Sequence, residues 1–112
     1  MTEYELERKK KLIGDLVGNS RRILSNEIAF PLGIHIMAKI FRWINDIEPL
    51  NFNSQEFIDY DNQLDDYPLG SDRLKYKIDI LIKYEKEIIE LNELYRSKLM
   101  RLSKDIIDKY AI

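Results

Sequence analysis

The chain contains no cysteine. That excludes a disulfide framework, a thiolate nucleophile and a thiolate metal site, and it suits a reducing cytosol. It also has a single histidine, His35. One imidazole cannot build the paired His and Glu-x-x-His sites of carboxylate-bridged metal bundles, and no Ser–His–Asp pattern stands out for it to serve. Gly-rich phosphate loops and Walker motifs are absent too. The 112 residues include only four glycines and three prolines, so chain breaks fall at a few defined places. No apolar run reaches the length of about 20 residues that a membrane span requires. The start, MTEYELERKKK, lacks the basic-then-apolar order of a secretory signal. These absences lead us to expect a cytoplasmic protein with no membrane partner and no cofactor.

The most informative absence is local. Between Arg42 and Arg73 there is no Lys or Arg, yet Asp46, Glu48, Glu56, Asp59, Asp61, Asp65, Asp66 and Asp72 fall there. Residues 43–72 therefore carry −8 and the rest of the chain +6, behind a net charge of only −2. A pI near 5.5 argues against nucleic acid as a direct partner, because phosphate binding wants a basic face.

What is present is globular composition, 45% hydrophobic alongside 34% charged residues, at a length suited to one domain. Periodicity points to an all-α bundle of three main helices, about 2–27, 31–47 and 72–110, plus a short one near 54–63. Thr2 and Glu5 have the spacing of a capping box at the first start. Leu6, Ile13, Leu16, Val17, Ser20, Leu24 and Ile28 give the first helix its apolar face, and Gly14 and Gly18 would let a neighbouring helix approach closely. Pro31 separates it from the second helix, FPLGIHIMAKIFRWINDI, which is apolar nearly all round. His35, Lys39, Arg42 and Asp46 recur there at steps of four, three and four, which draws one solvent stripe and leaves Trp43 and Ile44 facing the core. Pro49, Asn51 and Asn53 end it, and Asn53 or Ser54 caps the short helix. The sequence LDDYPLGSD reads as a loop, so the last helix starts at Asp72 or Asp79. From there, Leu81, Tyr84, Ile88, Leu91, Tyr95, Leu99, Leu102, Ile106 and Tyr110 form one stripe.

Several candidate chemistries were weighed on residue spacing. Asp59, Asp61, Gln63 and Asp65 have the alternate spacing of a calcium loop, but Leu64 stands where that loop needs glycine and Gly70 where it needs glutamate. Glu87, Glu90 and Glu93 at three-residue steps are the donor type of a magnesium-dependent helical hydrolase, which needs further acids from a second helix. His35 on the polar stripe reads as surface. The acidic segment differs from an ordinary solvated connection because Phe52, Phe57, Tyr60 and Tyr67 are interleaved with its acids, and aromatic anchors with steering charge characterise protein interfaces.

Ile23, Leu24, Ile28, Gly33, Phe57, Asp65-Asp66-Tyr67-Pro68-Leu69-Gly70 and Arg73 resemble a pattern found in short all-helical bacterial proteins, with departures at Asn26 and Tyr76. Small size, helical fold and acidic segment together also resemble immunity proteins encoded beside antibacterial toxins, including contact-dependent growth inhibition systems. The resemblance implies a non-enzymatic protein whose partner is a cognate toxin, commonly a basic nuclease domain. The binding surface expected on that basis comprises Glu56, Asp59, Tyr60, Asp61, Asp65, Asp66, Tyr67 and Asp72. A magnesium-dependent hydrolase and a homo-oligomeric structural bundle are the alternatives, and the sequence leaves oligomeric state open.

Overall fold

The computed structural model describes residues 1–65, 67, 68 and 70–111. Helix α1 spans Glu3–Leu24, α2 Phe30–Ile47, α3 Gln55–Leu64 and α4 Ile78–Tyr110, with a 3-10 turn over Gly70–Lys75 before α4. The fold is all-α. Each helix packs beside the next, and α4 returns to α1, so the four close a ring around one core.

Local chemistry sets the boundaries. At the start of α1 the capping box forms as expected: Glu5 N–H donates to Thr2 Oγ1 at 3.1 Å and Thr2 N–H to Glu5 Oε1 at 3.2 Å. The backbone hydrogen bond from Thr2 holds the Glu5 carboxyl below its usual range. The helix ends at Leu24, three residues short of the expected boundary, because Asn26 adopts the left-handed conformation with φ of 60°. Glu27 N–H then reaches Arg22 O at 2.9 Å and Asn26 N–H reaches Ile23 O at 3.3 Å. This is a Schellman closure, with asparagine where glycine is commonest. At α3 it is Asn53, through Oδ1, that accepts from Gln55 N–H at 3.1 Å. The last helix begins at Ile78, close to the later of the two expected starts, since Gly70–Lys75 winds as the tighter 3-10 turn and Lys77 is extended.

The core centres on α2. Ile34, Met37, Ala38, Phe41 and Ile44 are buried, against Leu16 and Ile23 from α1, Phe57 and Leu64 from α3, and Leu99 and Ile106 from α4. Removing such a side chain from water contributes about 1.5–3 kcal/mol. Phe41 lies at the middle of an aromatic row, with ring centroids 5.9 Å from Phe52 and 5.5 Å from Phe57. Of the aromatics interleaved with acids in the sequence, Phe57 is therefore a core residue and Phe52 packs partly buried against the core.

Three expectations about packing fail for identifiable reasons. Trp43 is 40% exposed, not core-facing, because it lies about 100° of helix rotation from Ile44 and turns toward Lys39; the Lys39 ammonium sits 5.2 Å from its ring centroid. Leu6 is exposed as well, and the α1 face that packs includes Leu12 and Ile23 instead. Gly14 and Gly18 are exposed, with nothing near the position a Cβ would take. The close approach occurs at Gly33 of α2, where a Cβ would lie 2.6 Å from Ile23 Cγ1. Beside it, Asn19 of α1 donates its side-chain N–H to Gly33 O at 2.9 Å.

With 33 residues at about 1.5 Å rise, α4 is roughly 50 Å long, which matches the longest molecular dimension of 50 Å. Its second half is flanked by α1. The first half passes the ends of α2 and α3 and keeps much of its surface in solvent.

Candidate functional site

Helix α3 carries four of the eight expected binding residues, and its wheel divides them. Phe57, Tyr60, Asp61 and Leu64 recur at steps of three, one and three, so they share the face turned to α2 and α4, and all four are buried. Asp61 is 1% exposed. Its Oδ1 accepts from His35 Nδ1–H at 2.7 Å and its Oδ2 from Arg42 Nη1–H at 2.8 Å. Arg42 also donates from Nη2 to Asn62 Oδ1 at 3.0 Å. A buried carboxylate is tolerated only when paired and hydrogen-bonded, and here both oxygens are engaged. Asp61 therefore offers no surface to a partner, which corrects its expected role.

His35 is corrected with it. The ring lines a surface recess, but its Nδ1 is committed to the buried carboxylate. The carboxylate accepts, so Nδ1 carries the proton and Nε2 is left to face outward. Such a dyad orients an imidazole as hydrolases do, yet the residues lining this recess include no serine, threonine or cysteine for Nε2 to activate. The cluster works as a clamp joining α2 to α3.

Tyr60 is the second correction. It is fully buried, edge-on to Phe30 at 5.4 Å and to Tyr95 at 5.6 Å between ring centroids, and its hydroxyl donates to Asn92 Oδ1. Burial pushes its phenol well above the usual pKa, partly opposed by the positive charge of Arg96. It supplies core volume and no contact area.

The remaining acids separate into two groups. Glu56 and Asp59 lie near the start of α3. Lys98 of α4 donates to Glu56 at 2.7 Å, and Gln55 to Asp59 at 2.7 Å. Asp65 and Asp72, with Tyr67, lie beyond the end of α3 and line one recess of about 340 Å³ together with Leu32 and His35. Both carboxylates are exposed, and Asp72 has Lys75 at 3.7 Å. Tyr67 is half-buried and packs edge-on against Tyr84 at 5.2 Å. Asp66 lies outside the described residues. Glu48, at the other end of α2, is bound by Lys9 of α1 at 2.8 Å, and that contact holds its carboxyl below the usual range.

The magnesium alternative needs carboxylates from two helices to converge. Glu90 and Glu93 are exposed and Glu87 is half-buried on α4. Among the described residues, no three Asp, Glu or His side chains form a metal-binding group. No described helix is long and apolar enough to cross a membrane.

One feature of the site was missed in the sequence although part of it was visible. His35 and Arg42 are seven apart and thus on one side of α2, which marks a pair of hydrogen-bond donors aimed together. Their anion could not be chosen from the neighbouring acids without knowing the rotation of α3. A second feature was legible as a pattern: Ile78, Ile82 and Ile89 at steps of four and seven form an apolar row beside the main stripe of α4, and the structure leaves all three exposed. No family model matches the chain, and comparisons with curated proteins and with solved structures likewise return no match.

Proposed function

We propose that the protein is an immunity protein that binds a basic toxin domain, a nuclease, and covers its active site without catalysis. The observation that supports this reading is the recess beyond α3, where Asp65 and Asp72 are exposed beside Tyr67 and, among the described residues, no Lys or Arg contributes to the lining. Exposed carboxylates around a half-buried aromatic combine long-range attraction of a cationic partner with an anchor for contact. The docking surface is smaller than the acidic segment as a whole. Asp61 is buried and paired inside the bundle, and Glu48 and Glu56 are held by lysines of other helices at 2.8 and 2.7 Å, whereas Asp72 has only the longer contact with Lys75 at 3.7 Å.

The test is reversal of charge at the recess. The purified protein is titrated against basic nuclease toxin domains produced separately, and inhibition of nucleic acid cleavage is measured. D65K/D72K is expected to raise the concentration needed for inhibition on the order of a hundredfold at low salt, as loss of complementary charge does. Asp46→Lys, at the far end of α2, serves as the control and leaves inhibition intact. Full inhibition by D65K/D72K at unchanged helicity overturns the reading.

A further inference from the structure

The first half of α4 displays apolar side chains that the monomer does not cover. Ile78, Ile82 and Ile89 are 74%, 61% and 52% exposed, and Leu74 in the 3-10 turn before the helix is 88% exposed. Ile78, Ile82, Glu85 and Ile89 follow one another at steps of four, three and four, so they form a single row with Glu85 inside it. Alongside the row runs a trough made of two recesses of about 400 and 460 Å³ that share Ile89 and Asn92. Pro31 and Leu32 at the start of α2 contribute its far wall. From Leu81 to Met100 the trough follows α4 for about 28 Å, which suits a helix. An exposed apolar row beside a trough with a mixed polar lining marks an interaction site.

We propose that this surface pairs two copies of the chain, α4 against α4 in antiparallel sense, about a two-fold axis between Glu85 and Lys86. The charge pattern selects the occupant. In a two-fold contact, if residue i meets residue j then j meets i. Setting Ile82 against Ile89 of the second copy sets Glu85 against Lys86 of the second copy, and the symmetry makes each contact twice. Between residues 82 and 89 apolar then faces apolar and acid faces base, whereas farther out Ile78 meets Glu93 of the second copy. A parallel pairing would place Glu85 against Glu85 within the apolar row, which is unfavourable at that separation. Lys83 and Glu90 lie on the far side of the helix from the trough and stay hydrated. This surface is distinct from the Asp65 and Asp72 recess, and the inference holds independently of the toxin reading.

Sedimentation equilibrium of the full chain, from low micromolar to millimolar concentration, reads the association directly. The expected mass rises from 13.4 kDa toward twice that value. Ile82→Glu and Ile89→Glu are each expected to weaken dimerisation by on the order of tenfold or more, since each removes a buried apolar contact twice. Helicity of the monomer should not change, because both side chains are solvent-exposed in it. Glu85→Lys and Lys86→Glu should each weaken the dimer, and the two combined should restore it. A mass that stays at 13.4 kDa throughout, or a dimer indifferent to I82E and I89E, overturns the proposal. Failure of the double charge swap to restore association overturns the antiparallel register.

Discussion

Helix α3 and the first half of α4 are inverted relative to their compositions. In α3, drawn from the most acidic segment of the chain, an aspartate is turned into the core and held there by His35 and Arg42. In α4, isoleucines are turned into solvent at Ile78, Ile82 and Ile89. The lesson is that composition identifies which segments carry charge or apolar surface and says nothing of their direction. An acid becomes a structural part when hydrogen-bond donors from another helix meet it, and an apolar row becomes a surface when no neighbouring helix covers it.

The largest expected effect tests the inward-turned acid. Arg42→Ala leaves Asp61 buried with His35 as its remaining partner, and is expected to destabilise the fold by about 3 kcal/mol or more in urea unfolding. Asp61→Asn should cost less, because Arg42 and His35 are each partly exposed and can return to water. Arg42→Lys falls between them, since an ammonium cannot reproduce the fork that spans Asp61 and Asn62. If Arg42→Ala proves as mild as a surface substitution, α3 is not clamped and the contrast with α4 disappears.

Next in size is the crossing of α1 and α2. Gly33→Val drives a side chain into Ile23 and should lower stability by about 1–3 kcal/mol, as overpacking does. Gly14→Ala and Gly18→Ala should instead raise it by up to about 1 kcal/mol each, since both sites are open and alanine is the better helix former. Thermal midpoints of the three variants separate the glycine that packs from the two that do not.

The smallest effect at neutral pH concerns Tyr60 and becomes visible only in alkali. Its folded pKa lies above the unfolded value of about 10. The unfolded chain therefore releases this proton first, so the contribution of Tyr60 is complete below about pH 10 and is lost progressively as pH rises above it. Tyr60→Phe should flatten that part of the stability profile, and ultraviolet titration should show one phenol ionising only as the protein unfolds.

Much of the fold was legible in sequence. The capping box at Thr2 and Glu5, the break at Pro31 and the three-and-four spacing from Leu81 to Tyr110 all express rules that act within one or two turns, so neighbours in sequence decide them. The end of α1 was not legible, because Asn26 can close a helix or continue it and only the Schellman hydrogen bonds fix the choice. The candidate site divided along the same line. Asp65 and Asp72 are exposed and Tyr67 is half-buried, whereas Tyr60 and Asp61 are buried, since one residue step in a helix rotates a side chain by about 100° and α3 is only ten residues long.

What the sequence determined by itself is the number and class of elements, the all-α bundle, and the thirty-residue stretch without a cation. Only the tertiary structure decided that Asp61 belongs inside, that Gly33 and not Gly14 or Gly18 receives the neighbouring helix, and that the isoleucines of early α4 stay outside. The physical reason is one of range. Propensity, capping and periodicity are set by residues three or four apart, while the burial of a charge and the exposure of an apolar row depend on where distant helices begin and end.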